Sequence, residues 1–158
     1  MLYGSDNGRT VWYFSAPSKY LGDQSRAIGG RLKFRLGHSE YMSNGRDMIK
    51  DWDVILESRE WRIRIGIKNL VPPWVGATNN DLNVDEKSWT VMKGQGHGHS
   101  PTAVQMIRLM SSLSAIYIRG GDNFLTSRYR MRLSSLFWMC APVKVIVRFA
   151  SCGLSTNN

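Results

Sequence analysis

Aromatic side chains are concentrated near the start of the chain, in the stretch WYFSAPSKYLGDQ. Trp12, Tyr13, Phe14 and Tyr20 lie within nine residues, and exposed aromatic rings can form a platform on which sugar rings stack. The alternative is structural. Trp12 and Phe14 are two positions apart, so on a strand they share one face and point into a core, while Pro17 and Tyr20 fix a turn. The spacing favours this second interpretation.

Two short segments carry basic residues at every second position. Arg31, Lys33 and Arg35 share one side of a predicted strand, and Arg62 and Arg64 share one side of another. If both strands belong to one sheet, the five cations form a stripe that suits sulfated glycans or other polyanions, with salt-sensitive binding. The alternative is a solvated face that nearby acids partly neutralise. Those acids are Asp53, Glu57 and Glu60.

Two further segments carry aromatic or imidazole groups in loop-like surroundings. The stretch VPPWVGATNND, residues 71–81, predicts a loop in which Trp74 either stacks on a carbohydrate or covers the open end of a sandwich. His97 and His99 stand two apart between glycines. A metal site needs a third or fourth ligand, and only His38 remains, with nothing to place it nearby. A flexible loop is the favoured interpretation.

Catalytic signatures are absent from the sequence. There is no nucleophile elbow, Walker loop, zinc-protease motif or dinucleotide fingerprint. Asp51 and Asp53 share one face of a predicted strand but lack neighbours that would separate their pKa values for acid and base roles. We therefore predict a protein that is not an enzyme.

Composition indicates one globular domain with a basic end. The chain has 158 residues and a formal net charge of +9, yet residues 125–158 hold five basic and no acidic groups. The body is only mildly basic, so a nucleic-acid partner for the fold itself is not expected. Both cysteines lie in the basic end, which excludes a cysteine-based zinc site in the body. Neither a signal-peptide pattern nor a transmembrane segment is visible.

Alternating apolar residues predict the elements that must position these groups. Residues 31–36, 52–57, 61–65 and 115–119 alternate with period two and are separated by turn-rich spacers. This pattern is typical of an all-β antiparallel sandwich. One short helix is predicted near residues 101–113, with Ser100 as N-cap, Pro101 at the first position and one apolar stripe. The stripe is Ala103, Met106, Ile107, Met110 and Leu113.

Several stretches in this order resemble the laminin IV type A (laminin B) domain family. They are WYFSAPSKYLGDQ, GGRLKFRL, WDVILES, WRIRI and LSAIYIRGG, which together span roughly residues 8–121. The resemblance implies a jelly-roll β-sandwich similar to galactose-binding and carbohydrate-binding modules. It also implies a non-catalytic extracellular module of structure and adhesion, with extracellular protein or glycan partners. No cofactor is expected, apart from a structural calcium for which Asp23, in the Gly22-Asp23 turn, is a candidate ligand.

The resemblance divides the chain into a domain at residues 8–124 and an atypical basic tail at 125–158. The tail is interpreted as a divergent end or the product of a wrong exon boundary or reading frame, with residues 143–149 as the candidate replacement for a closing strand. Two alternatives to the structural and adhesive role stay open. One is a carbohydrate-binding module. The other is a polyanion or nucleic-acid binder that depends on the tail.

Overall fold

The computed structural model describes residues 2–5, 11–38, 51–68, 76–92, 98–120 and 130–140. Within them, nine antiparallel strands and one α-helix confirm the predicted all-β sandwich. The strands are β1 Leu2–Ser5, β2 Tyr13–Ser15, β3 Arg31–His38, β4 Val54–Ser58, β5 Ile63–Ile67, β6 Gly76–Asn83, β7 Thr90–Val91, β8 Ala115–Arg119 and β9 Arg130–Met139. They form a four-stranded sheet in the order β1-β9-β3-β6 and a five-stranded sheet in the order β2-β8-β4-β5-β7.

The core lies between the two sheets and follows from the period-two patterns. In β3, Leu32, Phe34 and Leu36 are buried, as the alternation predicts. The five-stranded sheet contributes fully buried side chains that include Leu56 and Ile116. Because each apolar face is covered by the other sheet, the residues between the apolar positions point outward.

The helix α1, Ala103–Ser111, begins later than predicted. Thr102, not Ser100, is the N-cap: its hydroxyl accepts a hydrogen bond from the Gln105 backbone N–H, and the Gln105 side chain accepts one from the Thr102 backbone N–H. This capping box satisfies two N–H groups that would otherwise lack partners. The predicted stripe is also wrong at Ala103 and Ile107, which are both exposed, and Leu109 is buried although it was not part of the stripe.

The β4–β5 hairpin agrees with the short spacer between the two predicted strands, and it turns tightly through Arg62, whose φ is 53°. Trp61 was predicted to share the apolar face of the second strand. It lies instead in the turn, where it is 42% exposed and its ring is 4.8 Å from the guanidinium of Arg108. Strand β5 therefore begins only at Ile63.

Strands β6 and β9 depart most from the sequence-based predictions. The loop predicted for residues 71–81 is wrong from Gly76 onward, where β6 pairs with β3 over its whole length. Strand β9 comes from the segment predicted to be a tail, and it lies between β1 and β3. The pairing of β9 with β3 shifts register between Arg35 and Leu36 of β3. This shift interrupts the alternation of inward and outward side chains in β9. The candidate strand at residues 143–149 lies outside the described residues.

Candidate ligand-binding face

The outer face of the four-stranded sheet carries three rows of outward-pointing side chains from β9, β3 and β6. Their positions follow from alternation, since they stand between buried residues such as Leu32, Phe34, Leu82 and Leu136. We call this surface the open face. The rows in strand order are Ser135, Arg35 and Asn79; Phe137, Lys33 and Asp81; and Met139, Arg31 and Asn83.

Positive charge predominates on the open face. Arg31, Lys33 and Arg35 lie along β3, and Asp81 is the only carboxylate among the nine residues. The Asp81 carboxylate is 3.3 Å from Nη1 of Arg31 and 3.2 Å from Nζ of Lys33. Desolvation raises the pKa of Asp81, but hydrogen bonds from Lys33 and Arg31 outweigh it and lower the pKa overall. Asp81 therefore stays ionised at neutral pH, and two cations share its single charge.

A groove of about 300 Å³ opens on this face. That volume is at the lower end of the range for small-molecule sites. The open face also exposes two apolar side chains, Phe137 at 44% and Met139 at 41%. The groove thus combines a ring with amide, hydroxyl, carboxylate and ammonium groups. Its lining residues are Lys33, Phe34, Asn79, Asn80, Asp81, Ser135 and Phe137.

The outer face of the five-stranded sheet is covered by its own side chains, and we call it the closed face. The Glu57 carboxylate is 3.1 Å from Nε of Arg64 and 3.3 Å from Nε of Arg59. Asp53 and Arg119 form an ion pair in which both side chains are at most 10% exposed. Each of these two carboxylates therefore has a cationic partner nearby. Its residues are Tyr13, Ser15, Ile55, Glu57, Arg64, Gly66, Tyr117 and Arg119, with Trp52 and Asp53 beside them.

Aromatic residues complete the cover of the closed face. The Trp52 ring packs so closely over Gly66 that a Cβ there would lie 2.5 Å from Cε3 of Trp52. The Tyr13 hydroxyl donates a hydrogen bond of 2.9 Å to the backbone carbonyl of Trp52. Burial is the main cause that raises the pKa of Tyr13 to about 12, and the nearby charge of Asp51 adds to it.

A comparison with protein families identifies the fold. The model of the family described as Laminin B (Domain IV) matches residues 13–141, most of the chain. The chain belongs to the laminin B (domain IV) family. The match includes β9, although the predicted domain ended at residue 124.

A solved structure supports the laminin domain IV fold. The chain is similar to the L4b domain of human laminin alpha-2, with a TM-score of 0.61 and 18% sequence identity. The similarity covers 78% of this chain and 69% of that one. No curated protein matches the chain in sequence. In the described residues, no helix has the length and apolar character needed to span a membrane.

The five cations predicted to form one stripe lie on two sheets of the domain IV sandwich. Arg31, Lys33 and Arg35 are on the open face, whereas Arg64 is on β5 and Arg62 is in the turn before it. The condition that both strands share a sheet is therefore not met. The nearby acid Glu57 pairs with Arg64, as the alternative interpretation expects, but Asp53 pairs with Arg119.

Asp23 is exposed in the turn predicted for it. Its Oδ1 accepts a hydrogen bond of 3.0 Å from the backbone N–H of Ser25. Hydrogen bonds from Ser25 lower the pKa of the Asp23 carboxyl, the backbone bond most. No group of three or more His, Cys, Asp or Glu side chains suited to a metal ion occurs in the described residues. The calcium role of Asp23 stays a prediction.

Of the aromatic residues near the start of the chain, Phe14 lies in the core, Trp12 and Tyr20 pack against the core, and Tyr13 lies on the closed face. Phe14 is 5% exposed, and the partly buried Trp12 packs edge-on against it with ring centroids 4.9 Å apart. Trp74 and His97 lie outside the described residues. His99 is exposed, with Nδ1 2.8 Å from the carbonyl oxygen of Ser100.

Sequence reasoning missed six members of the open face. Those from β6 were assigned to a loop or left unassigned because Gly76–Asn83 is polar, with Ala77 and Leu82 as its apolar side chains. Those from β9 were assigned to the tail, although Leu133, Leu136 and Trp138 carry an apolar signal that one extra residue interrupts. The six are Asn79, Asp81, Asn83, Ser135, Phe137 and Met139.

Proposed function

We propose that this chain is a non-catalytic extracellular module that acts in structure and adhesion through its open face. Membership of the laminin B (domain IV) family supports an extracellular, non-enzymatic role. We propose the open face as the binding surface because the outer faces of the two sheets differ. The closed face holds the nearly buried Asp53–Arg119 pair, while the open face leaves three cations and the ring of Phe137 accessible to solvent.

A second candidate function, carbohydrate or polyanion binding, is favoured by the groove. Carbohydrates present hydroxyl groups beside apolar ring faces. The exposed ring of Phe137 and the polar groups of Asn79, Asp81 and Ser135 suit both features. This candidate specifies the partner of the same surface and does not require catalysis.

Attachment of cells to surfaces coated with the full chain tests the adhesive role. We expect attachment above that on an inert protein coat, and loss of attachment for the charge-reversed double variant Arg31→Glu/Lys33→Glu. The matched control is Arg62→Glu/Arg64→Glu, which reverses two charges on the other sheet and should retain attachment. Absence of attachment, or equal loss in both double variants, contradicts the proposal.

A further inference from the structure

We infer that the open face binds a linear anionic glycan, with a sugar ring against Phe137 and the acidic groups of the glycan along β3. This inference rests on the proposed function, because it names the partner of the same surface. Three features carry it: the line of cations on β3, the exposed ring beside that line, and the hydrogen-bonding groups of the groove.

The spacing of the cations favours a chain with repeated charges over a single small anion. Outward positions along a strand are about 7 Å apart, so Arg31, Lys33 and Arg35 span about 14 Å. One phosphate or sulfate ion contacts only part of such a line. A polymer with acidic groups on successive units places one charge near each cation, and its binding weakens as salt screens the contacts.

The position of Phe137 favours a sugar as the unit between the charges. Phe137 lies directly opposite Lys33 in the register of β9 and β3, and neighbouring strands are about 4.8 Å apart. A ring stacked on Phe137 therefore brings its substituents within reach of the Lys33 ammonium. On the other side of Lys33, the Asp81 carboxylate is placed to accept hydrogen bonds from sugar hydroxyl groups.

The remaining polar groups of the groove also suit hydroxyl groups. Asn79 and Ser135 stand opposite Arg35 on its two sides, and both line the groove. An amide offers donors and an acceptor, and a hydroxyl offers both functions. The row of Ser135, Arg35 and Asn79 can therefore bind neutral hydroxyl groups and an acidic substituent of one sugar unit at the same time.

Isothermal titration of the purified full chain with oligosaccharides tests the inference. The probes are a heparin-derived hexasaccharide, a hyaluronan hexasaccharide of carboxylates only, and neutral cellohexaose. We expect binding of at least one acidic probe that weakens as salt rises, and no binding of cellohexaose. Comparison of the two acidic probes shows whether sulfate or carboxylate is the recognised group.

Two double variants locate the site. Arg31→Gln/Lys33→Gln should weaken binding by about one hundredfold, since each lost charge-assisted contact costs about tenfold. Arg62→Gln/Arg64→Gln removes the same charge from the other sheet and should change binding by less than about twofold. Phe137→Leu should weaken binding by about threefold to tenfold, while Phe137→Tyr keeps the ring and the affinity.

Four results overturn the inference: no binding of either acidic probe, equal binding of cellohexaose, equal weakening by the two double variants, or tighter binding of oligo-dT than of both acidic glycans. Because the titration uses purified components, its failure is distinct from failure of the adhesive role. Cell attachment that requires the open face without glycan binding indicates a protein partner. Unchanged unfolding midpoints in the variants show that each one is folded.

Discussion

The two outer faces of this sandwich are built from similar residue types and differ in how far their charges and rings are buried. On the closed face, Glu57 lies between two arginines and Asp53 pairs with Arg119 in a nearly buried position. On the open face, Arg31 and Lys33 share the single carboxylate of Asp81. The closed face therefore holds one ion pair that is nearly buried, whereas the charged side chains of the open face stay accessible to water and to a ligand.

Aromatic residues differ between the faces in the same way. Trp52 and Tyr13 lie over the closed face. Gly66 leaves room for the Trp52 ring, and the backbone carbonyl of Trp52 accepts a hydrogen bond from the Tyr13 hydroxyl. Phe137 stands beside a groove and is 44% exposed. The Phe137 ring is therefore accessible to a ligand, whereas the rings of Trp52 and Tyr13 already contact other residues of their own sheet.

The largest expected effect is loss of the buried ion pair of the closed face. Asp53→Asn removes the negative charge that pairs with the Arg119 guanidinium, at a site where both side chains are at most 10% exposed. Breaking such a pair typically costs about 3–5 kcal/mol. Urea unfolding should show this loss in the free energy of unfolding. A loss near zero would show that the pair does not stabilise the closed face.

A smaller loss is expected where Trp52 covers Gly66. In Gly66→Ala the new Cβ would lie 2.5 Å from Cε3 of the indole, so the ring must move. Overpacking of this kind costs about 1–3 kcal/mol. The double variant Gly66→Ala/Trp52→Leu should recover part of the loss, since a smaller side chain removes the clash. An additive double variant would contradict the proposed contact.

Ionisation of Tyr13 on the closed face should lower the free energy of unfolding at alkaline pH. Its pKa is raised to about 12 in the fold, against about 10 in the unfolded chain, because burial and Asp51 disfavour the phenolate. The stabilisation is complete below about pH 10 and is lost as the pH rises towards 12. A difference titration of tyrosinate absorbance between the protein and Tyr13→Phe should show a midpoint near 12. A midpoint near 10 would contradict the burial of Tyr13.

Asp81→Asn is expected to have the smallest effect on stability. Asp81 is exposed, so its ion pairs are screened by water and removal should leave the unfolding midpoint unchanged. The open face then loses its only carboxylate but keeps an amide oxygen that can accept hydrogen bonds from sugar hydroxyl groups, so binding of the heparin-derived hexasaccharide should tighten. Weaker binding would contradict the view that repulsion between Asp81 and the acidic groups of the glycan lowers the affinity.

The sequence predicted the strands whose apolar residues alternate without interruption. Strands β3 and β8 follow their period-two patterns directly, and β4 and β5 differ from prediction only at their ends. The helix start was missed although Thr102 and Gln105 have the spacing of a capping box. Strand alternation and helix capping can be predicted from the sequence because both depend on residues that are close together in the chain.

Only one third of the residues of the open face could be predicted from the sequence. The other residues join this face only because β6 and β9 pair with β3. Polar β6 carries no alternation that a sequence pattern can detect, and its strand form depends on hydrogen bonds to β3. In β9 one irregular residue shifts the register between Leu133 and Ser135. The separation of Arg31 from Arg64 likewise depends on which strands join each sheet, a non-local property.

The most direct test of the account is an NMR titration of the isotope-labelled full chain with the anionic hexasaccharide that binds. We expect the shift changes to concentrate on β3, β6 and β9, with the largest changes at Lys33, Asn79 and Phe137. Residues of the closed face, such as Tyr117 and Arg64, should not shift. Shift changes centred on the closed face or on α1 would contradict the claim that the open face is the binding surface.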